Sequence, residues 1–417
     1  MKILIYTLFF IISSNLYSQK LLIPMDDAQS DHLKSYGLVW WVIKNNQEVD
    51  WLLNYRGGSF ITNYTEKIAT ECRIRGVSFE TISIADGDAI YKIVQSEDEN
   101  MDVVRLEKSP RIAVYAPTGS QPWDDAVRIA LDYAEVEHDI IYDEEVIDGK
   151  LKDYDWLHLH HEDFTGQYGK FWASQKNSPW YIQQQTLQEA TASKLGFNKV
   201  SHLKLAVAQK MRDYVAGGGF MFAMCSAPDS YDVALAASGV DICAEMFDGD
   251  PADRNAQSKL DYSQTFAFEN FKLVQSPMEY EISSIDVGPT TINNPDIDYF
   301  TLFEFSAKYD PVPTMLTQNH VARVKGFLGQ TTAFVKEEIK NSVINLAERE
   351  GTNEVKYIHG NYGRGTFTFY GGHDPEDYRH GLFDPHTQLE LHKNSPGYRL
   401  ILNNVLFPAA KKKEQKT

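Results

Sequence analysis

The sequence contains few cysteines and no long hydrophobic segment. Only Cys72, Cys225 and Cys243 occur in 417 residues, which is too few for a disulfide framework, so stability must come from an apolar core. A chain of this length, with 43% apolar residues, can bury one or two such cores. No segment approaches the roughly 20 consecutive apolar residues of a transmembrane helix, which predicts that the protein does not span a membrane.

Basic residues are also in deficit. The chain has 40 Lys and Arg against 58 Asp and Glu, a formal net charge of -18. Such a charge argues against nucleic acid as a partner, because phosphates would be repelled. The one basic cluster, Lys411 to Lys413 with Lys416, lies in residues 409–417, whose composition predicts a solvated, disordered tail.

Residues 1–18 have the features of a secretory signal peptide. Lys2 precedes the apolar stretch 3–12, and a polar run then leads to the small residue Ser18. The apolar stretch is too short to cross a bilayer, and no cysteine follows it for lipid attachment. The sequence therefore predicts an exported protein, located in the periplasm or outside the cell.

Changes in the pattern of apolar runs divide the remaining chain into three parts. Residues 19–108 alternate short apolar runs with turn signals and are predicted to form a small N-terminal α/β domain, with a β-hairpin over 38–54. A second domain is predicted from residues 109–239 and 354–408. Residues 240–353 do not share its pattern and are predicted to be an insertion.

The second domain has the pattern of a parallel sheet. Continuous apolar runs at 112–116 and 220–224 are typical of strands buried on both faces, and Pro122 is predicted to open a helix between them. Strands alternate with amphipathic helices along the domain. This order predicts a doubly wound, mostly parallel α/β sheet of the flavodoxin-like type.

Ligands of such sheets bind beyond the carboxyl ends of the strands, and Cys225 directly follows the strand 220–224. Ala223 and Ala227, two residues before and after Cys225, suit a sharp turn into a helix. The helix N-terminus would lower the pKa of the thiol and stabilise an oxyanion. Cys225 is therefore a candidate nucleophile with Ser226 beside it. The alternative is an inert buried cysteine.

A second predicted strand, 366–370, leads to Gly372, His373 and Glu376. A thiol nucleophile requires a base and a carboxylate that orients the base. His373 is the candidate base and Glu376 the candidate carboxylate. In the alternative interpretation, His373 only bonds to the backbone where a loop begins.

A third predicted strand ends in a histidine-rich segment. Side chains alternate along a strand, so His158 and His160 would share one face and His161 the other, and the three could not converge while the strand stays regular. We therefore expect His160, His161 and Glu162 to line a polar substrate pocket, together with Thr118 after the first strand. No metal and no cofactor is expected.

A metal-dependent hydrolase is an alternative for the same segment. It would require His160 or His161 to meet Glu162 and His373 at the strand ends, as neutral imidazole and carboxylate ligands.

The residues at these strand ends resemble the class I glutamine amidotransferase-like superfamily, and within it the trehalose-utilisation (ThuA-like) branch. The similar motifs are segment 214–227, turn 362–365 and the pair 372–373, and the similarity extends over about residues 110–240 and 355–407. It implies a Cys nucleophile, a His base and a Glu on a flavodoxin-like fold. Cys225, His373 and Glu376 match these by type. Two residues separate the His from the Glu here, where the family has one, and alanines stand where the family has glycines around the Cys.

The whole chain also resembles exported bacterial proteins commonly labelled asparagine synthetase B, through Met25 and Asp26, segment 52–58 and segment 156–167. The label implies glutamine-hydrolysing asparagine synthesis. However, the sequence has no nucleotide-binding glycine loop, and Gln19 rather than a cysteine would follow the signal peptide.

Together these features predict an exported hydrolase that cleaves an amide or ester through an acyl-thiol intermediate on Cys225. The competing prediction is a non-catalytic binding or scaffold protein of the envelope, which would hold a small molecule, glycan or peptide in the same pocket. The fold alone does not separate the two.

Overall fold

The computed structural model describes residues 19–119, 121–288, 293–317 and 321–410. The predicted signal peptide and the lysines of the predicted tail lie outside these residues. The described chain is a mixed α/β structure with two sheets, which confirms the α/β class. Within the described residues, no helix has both the length and the apolar content to cross a bilayer.

The first sheet has five antiparallel strands in the order β4-β1-β3-β2-β5 and lies in the N-terminal part of the chain. Its strands and the helices between them are β1 (Gln19–Ile23), α1 (His32–Lys44), β2 (Val49–Leu53), β3 (Ser59–Asn63), α2 (Glu66–Arg75), β4 (Glu80–Ser83), α3 (Ile84–Val94) and β5 (Asp102–Leu106).

The second sheet has ten strands, in the order β11-β10-β13-β14-β15-β9-β8-β6-β7, with β12 paired to β14. These strands are β6 (Ile112–Tyr115), β7 (Asp139–Ile141), β8 (Trp156–Leu159), β9 (Phe220–Met224), β10 (Tyr299–Leu302), β11 (Arg323–Lys325), β12 (Phe334–Val335), β13 (Ile344–Glu348), β14 (Glu354–Tyr362) and β15 (Gly365–Tyr370). The accompanying helices are α4 (Ala126–Ala134), α5 (Asp143–Ile147), α6 (Trp172–Gln175), α7 (Pro179–Lys194), α8 (Val200–Ala216), α9 (Ala227–Ala236), α10 (Glu245–Asp248), α11 (Ala256–Lys259) and α12 (Pro396–Leu406).

The second sheet is mixed, and the prediction of a mostly parallel sheet was wrong. Four pairs of neighbouring strands are parallel, as expected for alternating strands and helices: β7–β6, β6–β8, β8–β9 and β9–β15. From β15 onward every pair is antiparallel. There are two reasons: β14 and β15 form a hairpin that turns between Tyr362 and Gly365, and residues 240–353 supply β10 to β13, which extend the sheet instead of forming a separate insertion.

Both faces of the parallel strands are buried, which explains their continuous apolar sequence. In β9, Phe220, Phe222 and Met224 face an apolar cluster that includes α4 and α12. Met221 and Ala223 face the opposite cluster, which includes α8 and α9. Alternate side chains of one strand therefore contribute to two cores.

The predicted hairpin over 38–54 was wrong, because residues 38–43 lie within α1. The carboxylate of Asp31 caps this helix by accepting the N–H of Lys34 at 2.9 Å. Helix α1 packs against β2, α4 and α12 between the two sheets and is buried almost all round. A helix buried on every side has no polar stripe, so its short apolar run resembles a buried strand.

The registers of the parallel strands bring three strand ends together. Leu159 at the end of β8 is level with Ala223 of β9, and Met224 at the end of β9 is level with Tyr370 at the end of β15. The residues that follow β8, β9 and β15 therefore meet at the same edge of the sheet.

Candidate functional site

Cys225 occupies a strained turn between β9 and α9. Its φ is 53°, in the left-handed region that non-glycine residues rarely adopt. Its N–H donates to the carbonyl of Gly372 at 3.1 Å, which ties the turn to the end of β15. The side chain is 5% exposed. A strand, a strained cysteine and a helix N-terminus in succession are the arrangement of a nucleophile elbow.

Gly372 determines where His373 lies. Its φ is +96°, and a Cβ atom at this position would lie 2.5 Å from ring atoms of Phe327. Only glycine fits there, so the chain can turn closely beside Phe327 and bring His373 to the end of β9.

The imidazole of His373 lies between a thiol and a carboxylate. Its Nε2 is 3.2 Å from Oδ1 of Asp124, and a ring nitrogen of His373 lies within 4.8 Å of the sulfur of Cys225. Burial lowers the pKa of His373, but the hydrogen bonds to Asp124 and Cys225 outweigh it and raise that pKa to about 10. Burial raises the pKa of Asp124. The neighbouring imidazoles of His373, His380 and His386 lower it by more, so the net shift of this pKa is downward.

Glu376 does not orient His373, which corrects the predicted carboxylate. Asp374 accepts the N–H of Glu376 at 2.8 Å in a tight turn, and Oε2 of Glu376 lies 3.0 Å from Nδ1 of His392. The carboxylate that contacts His373 is Asp124, which precedes α4 and is distant in sequence.

A second carboxylate, Asp125, holds the histidines that follow β8. It caps α4 by accepting the N–H of Val127 at 2.8 Å and that of Arg128 at 3.1 Å. The same oxygen lies 3.1 Å from Nδ1 of His160 and 3.2 Å from Nε2 of His158. Burial raises the pKa of Asp125, but these two histidines outweigh it and hold that pKa well below its usual value.

Three imidazoles and one thiol meet beyond the strand ends. One ring nitrogen each of His160, His161 and His373 and the sulfur of Cys225 all lie within 4.8 Å of one another. The ring centroids are 4.1 Å apart for His160 and His161, and 5.0 Å apart for His161 and His373. Because β8 ends at Leu159, His160 and His161 are outside the regular alternation and both reach the cluster. We call these four side chains the His3Cys cluster.

Burial shapes the charge of this cluster. It lowers the pKa of His160 to about 4, although Asp125 acts in the opposite direction. It lowers the pKa of His161 well below the usual value, and His160 adds to the shift. Both imidazoles are therefore neutral at neutral pH, and each has a lone pair available for bonding.

The other predicted site residues lie outside the cluster. Glu162 faces Tyr142, with 3.4 Å between Oε2 and the phenol oxygen, and burial raises its pKa to about 8. Ser226 is fully buried immediately before α9, and its Oγ has no hydrogen-bond partner within the described residues. Thr118 is exposed and does not line the neighbouring cleft.

A cleft of about 620 Å³ leads to the cluster from outside. Its wall includes His160, His161 and Asp124, together with Trp123 and Arg128. Trp123 packs against His161 with ring centroids 5.3 Å apart. A larger cleft, of about 1620 Å³, opens at the opposite edge of the parallel strands and holds none of the predicted site residues. The smaller cleft is therefore the one relevant to the cluster.

Sequence reasoning missed Asp124 and Asp125. The signal for them was present: an Asp immediately before an amphipathic helix is a strong N-cap. Pro122 was taken as the start of this helix, but α4 begins at Ala126. The two carboxylates therefore belong to the connection after β6, at the same sheet edge as the cluster.

The fold and the site define a mixed α/β protein with a buried His3Cys cluster at the carboxyl edge of its parallel strands. No family model and no curated protein matches the chain. Among solved structures, it is similar to a cytoplasmic protein from Salmonella typhimurium, with 12% identity, a TM-score of 0.37 and coverage of 73% of this chain and 100% of that chain. A second cytoplasmic protein, from Salmonella typhimurium LT2, matches at 12% identity with a TM-score of 0.35, covering 72% and 100%.

A beta-galactosidase from Bacillus circulans sp. alkalophilus matches at 11% identity with a TM-score of 0.28, covering 66% of this chain and 29% of that chain. All three TM-scores are below 0.5, so we take no activity and no finer fold assignment from these similarities. The predicted location requires correction. The two Salmonella proteins are described as cytoplasmic, not as exported, and the prediction of export to the periplasm or the exterior is withdrawn.

Proposed function

We propose that the protein is a hydrolase that cleaves an amide or ester bond, with Cys225 as nucleophile, His373 as base and Asp124 as the carboxylate that orients His373. The proposal includes the class I glutamine amidotransferase-like, ThuA-like assignment of the parallel core. The observation that carries it is the position of Cys225: a φ of 53° between β9 and α9, with its sulfur within 4.8 Å of a ring nitrogen of His373, which a buried carboxylate holds.

In the proposed reaction, the thiol proton resides on His373, whose charged form Asp124 stabilises, and the thiolate attacks the carbonyl carbon of the substrate, forming a C–S bond. His373 then gives the proton to the leaving amine or alcohol as the C–N or C–O bond breaks, which leaves a thioester on Cys225. A water molecule, deprotonated by His373, hydrolyses the thioester and regenerates the thiol. Asp124 keeps the imidazole oriented throughout and stabilises its charged form.

The position of the thiol also favours the charged intermediates. Cys225 precedes α9, whose dipole favours the negative charge that develops in a tetrahedral intermediate. His160 and His161 lie on the wall of the cleft next to the sulfur, where a substrate would approach.

The proposal can be tested without knowledge of the natural substrate. Chelator-treated protein is mixed with para-nitrophenyl acetate, an activated ester, and nitrophenolate release is followed together with intact mass and peptide mapping. We expect a burst of nitrophenolate and one acetyl group on Cys225. His373→Ala should abolish the burst, whereas Cys72→Ser, which alters a buried cysteine in α2, should leave it unchanged.

Equal nitrophenolate release by the parent and by Cys225→Ala, with no acetyl group on Cys225, would overturn the proposal. Equal release without acetylation is the result expected if the protein is a non-catalytic binding protein.

A further inference from the structure

Two imidazole nitrogens of the His3Cys cluster have no use in the proposed hydrolysis. Nε2 of His160 and Nε2 of His161 are both buried and have no hydrogen-bond partner anywhere in the described ranges. His160 is 1% exposed. A buried polar atom without a partner is destabilising, so two in one place indicate a missing partner. Both nitrogens belong to rings that lie against His373 and Cys225.

The opposite sides of two of these rings are held by carboxylates. His160 bonds through Nδ1 to Asp125, and His373 bonds through Nε2 to Asp124. In each ring, the other nitrogen is the one that remains for the cluster. A carboxylate behind a histidine is the usual support of a metal-ligating imidazole, because it fixes the ring and increases the basicity of the ligating nitrogen.

We propose that His160, His161, His373 and Cys225 together bind one divalent transition-metal ion of the zinc type. The bound ion holds the sulfur that the proposed hydrolysis requires, so the metal-bound protein is a resting form. This regulatory consequence rests on the proposed function, whereas metal binding itself does not. On binding, the sulfur coordinates as thiolate and the three imidazoles coordinate as neutral ligands, and the protons that Cys225 and His373 carry in the metal-free protein pass to solvent.

The geometry and the donor types both fit this ion. Zinc bonds of about 2.0 to 2.3 Å place tetrahedral ligand atoms roughly 3.3 to 3.8 Å apart. The four donor atoms already lie within 4.8 Å of one another, so small side-chain rotations complete the site. Nitrogen and sulfur donors suit zinc and its neighbours, whereas magnesium and calcium require oxygen ligands.

The number of ligands favours a resting form over metal catalysis. Four protein ligands fill a tetrahedral zinc site and leave no position for a reactive water, which catalytic zinc sites keep open. The predicted metal-hydrolase ligand Glu162 is also turned away, toward Tyr142. Cys225 takes its place in the cluster.

A second group of potential ligands carries no such inference. Asp241, Cys243 and Asp248 also lie close together. However, the amino group of Lys199 already bonds to Asp241 at 2.8 Å and to Asp248 at 3.0 Å, so this cation takes the place of a metal. Cys243 therefore provides a matched control for Cys225.

The test uses cobalt(II), which occupies zinc sites and shows a near-ultraviolet charge-transfer band when a thiolate binds it. Chelator-treated full-length protein is titrated with cobalt(II) and then with zinc, while absorbance and metal content are measured. We expect one cobalt per chain with a charge-transfer band, and displacement of the cobalt by zinc. Cys225→Ser should lose the band and Cys243→Ser should keep it.

A variant behind the ligands gives a second measurement that does not depend on removing one. Asp125→Asn should weaken zinc binding about 10- to 100-fold while near-ultraviolet circular dichroism shows an intact fold. The inference is overturned if the parent shows no charge-transfer band, or if the band follows Cys243 and persists in Cys225→Ser.

The two proposals fail separately. If cobalt binds as described but the metal-free protein gives no acetyl-Cys225, the proposed hydrolysis fails and the metal site stands. If the metal-free protein is acetylated on Cys225 and cobalt shows no thiolate band, the metal site fails and the hydrolysis stands. If both hold, zinc should suppress the nitrophenolate burst in proportion to its occupancy.

Discussion

Nε2 of His373 lies 3.2 Å from Oδ1 of Asp124, although 249 positions separate the two residues in sequence. The contact joins the end of β15 to the connection between β6 and α4. His386 adds a contact to the other oxygen of Asp124 at 3.1 Å. A carboxylate held from both sides can fix the imidazole of His373 and orient its remaining nitrogen toward Cys225.

The partner of His373 can be tested by two matched substitutions. Asp124→Asn should slow alkylation of Cys225 by iodoacetamide at least about tenfold, because the imidazole loses the carboxylate that orients it and stabilises its charged form. Glu376→Gln should leave the rate unchanged, since Glu376 contacts His392 instead. Alkylation is followed by peptide mapping of metal-free protein. The opposite pattern, with loss only in Glu376→Gln, would restore the carboxylate predicted from sequence.

The sequence was sufficient to locate the parallel strands and the three strand ends that form the site. The runs 112–116 and 220–224 predicted β6 and β9 closely, because buried parallel strands are continuously apolar. Cys225 and His373 were identified for the same reason: each follows such a strand. That β8, β9 and β15 are neighbours depends on sheet order, which local patterns do not encode.

The remaining site residues depend on three-dimensional contacts. Glu376 was chosen because it is near His373 in sequence, whereas the structure supplies a carboxylate from another part of the chain. His160 and His161 were expected to line the pocket from opposite faces of the strand and not to converge, because regular alternation was extended past the end of β8. Strands β10 to β13 were assigned to an insertion, because their short runs show no alternation with helices, although they pair with the main sheet.

Strain at the elbow can be measured by comparing two substitutions of one residue. Cys225→Gly should be more stable than Cys225→Ala by about 1 kcal/mol, because glycine adopts a φ of 53° without steric cost. Urea unfolding of metal-free proteins gives the difference. Cys243, which does not have a positive φ, serves as the control: there the Ala variant should be the more stable. Equal stability of the two Cys225 variants would argue against strain.

A buried ion pair behind the cleft should be important for stability. Nζ of Lys204 lies 3.0 Å from the carboxylate of Asp143, and both side chains are at most 1% exposed. Lys204→Met leaves Asp143 as an unpaired buried charge and should reduce the free energy of unfolding by about 3–5 kcal/mol. Lys194→Met breaks an exposed pair with Glu144 and should cost less than about 1 kcal/mol. Similar losses of unfolding free energy in Lys204→Met and Lys194→Met would contradict the greater importance of the buried pair.

Asp229 should make stability depend on pH. Burial raises its pKa to about 7, although Ser283 donates a hydrogen bond to it at 2.7 Å. Below about pH 4 the group is protonated in both states; as the pH rises toward 7, only the unfolded state loses the proton, so stability falls. Asp229→Asn should therefore gain stability relative to the parent between about pH 4 and pH 7, as measured by urea unfolding. A difference that is constant over this range would contradict the raised pKa.

The most direct test of the proposed chemistry compares the three cysteines within one molecule. Metal-free folded protein is treated with limiting iodoacetamide, and the alkylation rates of Cys225, Cys72 and Cys243 are measured by peptide mapping. Burial raises the pKa of Cys72 to about 12 and holds that of Cys243 well above its usual value, so both should react slowly. We expect Cys225 to react at least about tenfold faster than either, because the imidazole of His373 lies beside its sulfur. A rate for Cys225 no higher than those of Cys72 and Cys243 would contradict its role as nucleophile.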